Sequence, residues 1–267
     1  MININAYDEF GFILWYYAPI AYYHHLNGTL NSTNSKIGTE AVFYFSKSHN
    51  ENRIHNEVPF PGGRECYKAM APSFTKQGWV PPPYKEFFKN DEFVFDKPIL
   101  TIHNKNNKEW GDAGIFNYFT PKALDLLFKE FKETHQIVYI RPPVDGDKFK
   151  YQKDVKQTIV DIGDEILLEA HPEVIWIGNL LKEGNKSYNE IQFMLLANSD
   201  KHITPAGDAV IPSYFGGDVL IYNCPNCMSA NRGVWKTDSW LKELSGSKIY
   251  GFNDYDILKE KAIELWK

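Results

Sequence analysis

The sequence lacks features that would point to several classes of protein. It has only three cysteines among 267 residues, too few for a disulfide framework, which favours a reducing compartment. No stretch approaches the ~20 apolar residues of a membrane-spanning helix, and the start at Met1 does not resemble a secretory leader. The formal net charge of −5 leaves no broad basic surface. These absences predict a cytoplasmic globular protein that has no transmembrane segment and does not bind nucleic acid.

Sequence signs of a bound metal are also missing. No Asp-x-Asp triplet closes an apolar strand, and the nearest, Asp145-Gly146-Asp147, begins a polar stretch. Cys224 and Cys227 form a single C-x-x-C without a second pair, so a turn is favoured over a zinc or redox site. The sequence therefore predicts no metal and no cofactor.

Residues 1–96 predict a first α/β unit. A short strand at 2–6 precedes an apolar and aromatic run at 10–26 that is typical of a buried helix. The segment 41–48 indicates a buried strand between two polar loops, which are predicted at 27–39 and 49–57. Six prolines then make the stretch from 59 to 83 loop-rich.

Strands and helices alternate from residue 97 onwards. Strands are predicted at 98–103, 136–141 and 173–181. Thr120 caps a helix whose first turn contains Pro121, and an amphipathic helix ends the chain. Alternation of this kind predicts a parallel sheet.

The most informative segment is 187–222, which indicates a helix, a short strand at 201–204, a glycine turn, a second helix and a second strand. Pro205 ends the first strand and Gly207 is expected to open the second helix. Unpaired N–H groups and the positive end of a helix dipole would then face one point, which suits a diphosphate. The residues around that point are Thr204, Pro205, Gly207 and Asp208.

This order of elements resembles the donor side of two-domain GT-B glycosyltransferases, such as heptosyltransferases and fucosyltransferases. In that family a run of the form helix, A-x-x-D-x-x-I-T-x-x-G, helix, G-x-x-x-x-x-Y closes the donor site. The matching residues are Ala197, Asp200, Ile203, Thr204, Gly207, Ser213, Gly216 and Tyr222. HNKNNKEWG at 103–111 and YIRPP at 139–143 also resemble donor-site turns. Asp208 departs from the pattern, because many members have a second glycine there.

The resemblance implies an α/β fold of two Rossmann-like domains that face a cleft. Residues 1–96 would form the acceptor-side domain and 97–250 the nucleotide-sugar domain. Residues 251–267 would form a C-terminal helix that bridges back to the first domain.

Two basic residues follow predicted strands of the second domain, where ligands of open α/β sheets bind. Lys105 follows the first of these strands and Arg141 the second, so both are candidates to bind the diphosphate and to stabilise its departure. Arg141 could instead pair with Asp145 or Asp147 at the surface.

Further donor contacts follow from the family pattern. Gly178 and Asn179 stand where main-chain groups read the nucleotide base, although an ordinary turn would explain them too. Glu183 and Asp208 could accept hydrogen bonds from ribose or sugar hydroxyls, or could be merely solvated.

An inverting transfer also needs a base near the acceptor hydroxyl. Asp8 and Glu9 stand in the first turn of the acceptor-side domain, where heptosyltransferases place a catalytic aspartate. His103 is a third candidate, in a segment that also offers Glu109 and Trp110.

The sequence thus predicts a glycosyltransferase that moves a hexosyl or deoxyhexosyl group from a GDP- or UDP-linked donor to a glycan acceptor without a metal. Two alternatives stay open. One is a sugar-nucleotide epimerase or hydrolase on the same fold, and the other is a non-catalytic sugar-binding module.

Overall fold

The structure is a computed structural model, and it describes residues 1–7, 10–52, 76–105, 107–108, 117–143, 158–159, 161–207, 209–224 and 243–267. Their strands form a three-stranded parallel sheet, a six-stranded parallel sheet and a two-stranded antiparallel pair. The predicted mixture of helices and parallel strands is confirmed.

The first sheet has the order β1-β2-β3. Its strands are β1 (Ile2–Ala6), β2 (Leu30–Lys36) and β3 (His49–Asn52). The predicted helix is a continuous helical run made of α1 (Phe10–Phe12), a π-helical turn (Ile13–Tyr17) and α2 (Ala18–Leu26). This run and the inward side chains of β1 belong to one hydrophobic core.

The strand predicted at 41–48 is wrong, because residues 40–45 form turns and β2 and β3 lie in the stretches predicted as loops. Hydroxyl groups fill the inward positions of β2. Ser35 Oγ donates to the Ala6 carbonyl at 2.6 Å, and Thr33 Oγ1 lies 2.8 Å from His49 Nδ1. A buried polar side chain costs little when it is hydrogen-bonded, so this strand does not need an apolar face.

Pro19 explains the irregular helix and ties it to distant parts of the chain. A proline has no N–H, so the carbonyls one helical turn before it lose their donor. The Trp79 indole N–H donates instead to the Trp15 carbonyl at 2.7 Å, and the Tyr214 hydroxyl donates to the Leu14 carbonyl at 2.6 Å. The N-terminal helix is thereby fixed to the segment that joins two strands of the larger sheet.

The larger sheet has the strand order of a dinucleotide-binding fold. Its strands are β4 (Ile99–His103), β6 (Gln136–Ile140), β8 (Ile175–Trp176), β9 (Ser199–Pro205), β10 (Asp218–Tyr222) and β11 (Lys248–Phe252). All run parallel, in the order β11-β10-β9-β4-β6-β8. Counted along the chain within the sheet this is 6-5-4-1-2-3, which is the Rossmann order. The short strands β5 (Asn107–Lys108) and β7 (Thr158–Ile159) form the antiparallel pair.

The remaining helices are α3 (Tyr84–Phe88), α4 (Pro121–Phe131), α5 (Asp164–Ala170), α6 (Ile177–Glu183), α7 (Tyr188–Ala197) and α8 (Tyr255–Trp266). The predicted cap at Thr120 is confirmed, since its hydroxyl accepts from the Ala123 N–H at 3.2 Å. Asp254 caps α8 in the same way.

The two faces of the larger sheet bury different cores, because alternate side chains of a strand point to opposite faces. One face carries Val138 and Ile221 into a core shared with α6, α7 and the first sheet. The other carries Leu100 and Leu220 into a core shared with α4 and α8. The first core is continuous from one sheet to the other.

Of the strand predicted at 173–181, only β8 is a strand, and residues 177–181 belong to α6. A short apolar run fits a buried strand and a buried helix equally well. The second helix expected after Gly207 is also absent from the described residues there, which form turns and a 3₁₀ turn at Pro212–Tyr214. Pro212 and the β-branched residues Val210 and Ile211 all disfavour a longer helix.

The C-terminal helix α8 packs on the larger sheet. Leu258, Ala262 and Trp266 are buried in the core that α8 shares with α4. The described residues of that core all lie at or after Leu100. The Trp266 indole donates to Asp218 Oδ2 at 3.1 Å. The predicted bridge to residues 1–96 is not among the contacts described for this helix.

Candidate functional site

The larger sheet has a topological switch point between β4 and β9, where the strand order reverses. Ligands of such sheets bind outside the carboxyl ends of the strands at this point. Lys105 follows β4 and Gly207 follows β9. A Cβ atom on Gly207 would stand 2.6 Å from Lys105 Nζ, so the ammonium group lies directly over the glycine turn. The structure therefore brings together two predicted donor-site residues that are far apart in the sequence.

Thr204 and Pro205 end β9 beneath this turn, and both are buried. The Thr204 hydroxyl donates to the Pro205 carbonyl at 3.1 Å, and the Ala206 N–H donates to the Tyr222 carbonyl at 2.9 Å. The first N–H of the turn is thus used by the sheet. No regular helix follows in the described residues 209–217, so they supply no helix dipole at this point, and the Lys105 ammonium is a positive charge that the structure places there. Asp208 lies outside the described residues.

Arg141 follows β6 and is buried, with 2% of its side chain exposed. Its Nε lies 2.6 Å from Asp164 Oδ2, although the N–H is not directed at that oxygen, and its Nη2 lies 3.8 Å from Glu165 Oε1. The guanidinium also lies 4.9 Å from the centre of the Trp176 ring. The structure thus gives Arg141 a buried carboxylate partner at Asp164. Asp145 and Asp147, the partners considered from sequence, lie outside the described residues.

A chain of hydrogen bonds joins Asp164 to the end of β4. The Tyr139 hydroxyl donates to Asp164 Oδ2 at 2.6 Å, and Asn104 Nδ2 donates to the same hydroxyl at 3.0 Å. Burial and, after it, the Asp164 carboxylate raise the pKa of Tyr139 well above its usual value, so the phenol keeps its proton. Asn104 also pairs with both backbone groups of Phe119, at 2.8 and 3.0 Å. These hydrogen bonds fix the position of Asn104, the residue that precedes Lys105.

Asn104 and Tyr139 lie in the two segments that resemble donor-site turns, but no sequence pattern assigned a role to either of them or to Asp164. Their roles come from partners that are remote in sequence. A polar residue directly after an apolar strand, as at Asn104, was the available signal.

Gly178 has a packing role that the sequence did not suggest. It lies in the first turn of α6, where a Cβ atom would stand 2.4 Å from the Trp176 ring. The glycine thereby leaves room for the indole that covers Arg141, and the indole N–H donates to the Arg141 carbonyl at 3.1 Å. Asn179 is exposed in the same turn, and Glu183 ends the helix. Gly178 and Asn179 thus lie in a helix rather than in the strand predicted at 173–181.

His103 is buried at the end of β4, and its Nε2 has no hydrogen-bond partner among the described residues. Burial and, to a lesser degree, the neighbouring His202 lower the pKa of His103 to about 3. A group with so low a pKa is a poor proton acceptor near neutral pH. The predicted base role of His103 therefore finds no support in its surroundings.

The acceptor-side candidates Asp8 and Glu9 lie outside the described residues, and so do Glu109 and Trp110 of the second domain. Within the described ranges, no three His, Cys, Asp or Glu side chains stand close enough to hold a metal ion. Cys224 is a free, half-buried thiol, whereas Cys66 and Cys227 are not described.

We expect stability to fall as the pH is lowered from about 6.5 towards 3, because His103, His135 and His202 are buried and have lowered pKa values. Burial lowers the pKa of His202, like that of His103, to about 3. Below pH 6.5 these histidines bind protons in the unfolded chain but stay neutral in the folded chain. The free energy of unfolding therefore drops by several kcal/mol across this window.

Urea unfolding at several pH values between 7 and 4 measures this loss. In His202→Gln the slope of unfolding free energy against pH should be smaller, since one of these histidines is gone. An unchanged slope in this variant would show that His202 is not protonation-linked to folding.

In the described part of the chain, no helix combines the length and apolarity that crossing a bilayer requires.

A Rossmann-order sheet and a second, smaller parallel α/β unit are consistent with the two-domain arrangement of a GT-B fold. No family model matches the chain, and no curated protein matches it. Among solved structures, it is similar to E. coli ADP-heptose LPS heptosyltransferase II, with a TM-score of 0.57 and 11% sequence identity. The match covers 99% of this chain and 97% of that one. The predicted fold class is thus confirmed at the level of the fold.

Proposed function

We propose that the protein is a metal-independent glycosyltransferase that transfers a hexosyl or deoxyhexosyl group from a GDP- or UDP-linked sugar to a glycan. The observation that carries this proposal is the position of Lys105 over Gly207 at the switch point. A positive group beside an open glycine turn suits the diphosphate of such a donor, and the shared fold with a heptosyltransferase supports the same class of reaction.

Charge stabilisation at this point would assist departure of the nucleoside diphosphate. Lys105 would meet the charge that develops as the glycosidic bond to the phosphate breaks. Asp164 already balances the charge of Arg141. The proposed role of Arg141 is therefore to donate a hydrogen bond from Nη2 to a phosphate oxygen rather than to supply net charge. Asp8 or Glu9 would take the proton of the acceptor hydroxyl.

The remaining donor contacts stay part of the proposal. Asn179, exposed in the first turn of α6, and Glu183, at its end, would contact the nucleoside. Thr204 and Pro205 would shape the diphosphate turn, and Asp208 would accept a hydrogen bond from a ribose or sugar hydroxyl. A cytoplasmic location, where nucleotide sugars are made, would fit the small number of cysteines.

Nucleotide binding tests the proposal most directly. In a thermal-shift titration with UDP, GDP, ADP and CMP, we expect one nucleoside diphosphate to raise the melting temperature, because a ligand of the folded state at 100 times its Kd adds about 2.7 kcal/mol to stability. Lys105→Met should bind that nucleotide roughly 10- to 100-fold more weakly, as expected when a charged hydrogen bond of about 1.5–3 kcal/mol is lost.

Lys122→Met is the matched control, because Lys122 is an exposed lysine on α4. It should bind the nucleotide as the wild type does. Equal affinity in Lys105→Met and wild type would refute the diphosphate site.

Product analysis separates the proposal from its alternatives. With a radiolabelled nucleotide sugar, a labelled glycan formed in the presence of EDTA supports metal-independent transfer. Free labelled sugar without a labelled glycan would identify a hydrolase, and a changed sugar still attached to the nucleotide would identify an epimerase. Donor binding without any product would identify a binding module.

A further inference from the structure

Among the described residues, no helix covers one face of the first sheet, and the exposed and half-buried side chains of its strands on that face are amides and a hydroxyl. We refer to it as the amide face. Its members are Asn3, Asn5, Asn31, Ser32, Asn34, Asn50 and Asn52, of which Ser32 and Asn34 are half-buried and the others exposed. The opposite face carries Ile4 and Ala6 into the core.

A hydrogen-bonded row of asparagines crosses all three strands in the middle of this face. Asn5, Asn34 and Asn50 stand opposite one another in the parallel register. Asn50 Nδ2 donates to Asn34 Oδ1 at 3.0 Å, and Asn34 Nδ2 donates to Asn5 Oδ1 at 2.9 Å. The amide planes are thereby held in a fixed orientation.

A bulge adds a second group of donors beside this row. The register shifts between Ile2 and Asn3, so Ser32 stands opposite Asn3 and Asn31 is an extra residue of β2. Asn31 Nδ2 and Ser32 Oγ donate to Asn3 Oδ1 at 2.8 and 2.9 Å. At the other end of the face, Asn52 Nδ2 donates to the Tyr7 hydroxyl at 2.9 Å.

This face departs from two regularities of protein structure. Parallel sheets are normally covered on both faces. Asparagine is also disfavoured in strands, so its repeated use on β1, β2 and β3 opposes strand formation. The row of hydrogen bonds accounts for the strands, but it does not account for an uncovered surface.

The chemistry of the amide face limits what can cover it. An amide has two N–H donors and two acceptor lone pairs, and Asn34 uses one of each within the row, which leaves one of each free. The exposed side chains of this face carry no charge, and Lys36, which alternation also places there, is buried. A flat, uncharged surface that both donates and accepts hydrogen bonds matches a ligand with the same properties.

We propose that the amide face binds a neutral oligosaccharide, whose hydroxyls likewise donate and accept. Because the row already holds its amides in place, little side-chain entropy is lost on binding. That the bound glycan is also the acceptor of the transfer rests on the proposed function. The binding itself does not, because the amide face is built only from residues of the first sheet.

Binding of defined oligosaccharides tests this inference. We expect calorimetric or NMR titration to show binding of at least one of cellohexaose, maltohexaose and chitohexaose, and not of a hyaluronan hexasaccharide, which carries charge. The variant Asn5→Thr/Asn34→Thr/Asn50→Thr should bind at least about tenfold more weakly, since about 1.4 kcal/mol corresponds to the loss of one or two hydrogen bonds.

Threonine favours strands, so this triple variant keeps a strand-forming residue at each position. The single variant Asn50→Thr shortens the row only at its edge, and it should weaken binding in the same direction if the triple variant does not fold. Asn185→Thr/Asn253→Thr is the matched control, because both asparagines are exposed and neither belongs to the first sheet. It should bind as the wild type does.

Two results would overturn the inference: no neutral oligosaccharide binds the wild type, or the triple variant binds as tightly as the wild type. A dimer that dissociates in the triple variant would also overturn it, since the amide face would then be covered by a second copy of the chain. Nucleotide binding, measured in the same samples, distinguishes these failures from failure of the proposed function. An unchanged nucleotide affinity leaves that function intact.

Discussion

Replacement of Asp164 by alanine is expected to lower the free energy of unfolding by about 3–5 kcal/mol, because it leaves a buried guanidinium without its counter-charge. Arg141 and Asp164 are each 2% exposed, so water cannot take the place of the lost carboxylate. The change also removes the acceptor of the Tyr139 hydroxyl. Urea unfolding of the variant and the wild type at pH 7 measures the difference.

Two further variants show whether the charge or the packing is responsible. Asp164→Asn keeps an acceptor for Tyr139 and removes only the charge, so it should remain clearly destabilised. Arg141→Met/Asp164→Leu removes both charges and should be less destabilised than Asp164→Ala, because an apolar pair of similar volume replaces a buried ion pair at little cost. If Asp164→Ala lost less than about 1 kcal/mol, Arg141 would have to be hydrated or paired elsewhere.

Gly217→Ala is the second change with a large expected effect. Gly217 has a φ of +73°, and an added Cβ atom would stand 2.2 Å from the Asp200 carbonyl oxygen. The left-handed backbone costs about 1–2 kcal/mol for a residue with a side chain. The collision with the backbone of β9 adds roughly 1–3 kcal/mol of overpacking. Thermal and urea unfolding should both show the combined loss.

Gly216→Ala is the control for this change, because it imposes the same backbone strain without the collision. Its φ is +74°, but the nearest atom to an added Cβ is Lys85 Nζ, at 3.8 Å. It should lose only about 1–2 kcal/mol. Equal losses in the two variants would show that β9 and β10 separate easily at this point.

These predictions concern the two sides of the candidate site. Gly217 precedes β10 and holds it close to β9, the strand that ends in the Gly207 turn. The Asp164 network holds the residue before Lys105. Gly217→Ala is therefore expected to affect nucleotide binding only through the position of the turn, whereas Lys105→Met changes a proposed phosphate contact itself.

The regular elements of the larger sheet could be predicted from local pattern. Buried apolar runs indicated β4 and β6, Thr120 with Pro121 indicated the start of α4, and the resemblance to GT-B enzymes indicated the two-domain fold. Each of these signals lies within a few residues. Local propensity and periodicity are enough where one element buries one apolar surface.

The prediction failed where a side chain depends on a remote partner. β2 has few apolar residues, and its buried hydroxyls are acceptable only because β1 and β3 supply partners, which the sequence of β2 does not show. The helix expected after Gly207 failed for a more local reason, since Pro212 interrupts it.

The sequence by itself determined the class of fold and the residue types at the candidate site. Only the tertiary structure decided which of them meet. Lys105 lies over Gly207 because β4 and β9 are neighbours across the switch point, and Arg141 is neutralised because α5 returns Asp164 to the end of β6. The physical reason is that charge balance and burial depend on distances in space, which a parallel sheet sets by strand order rather than by position along the chain.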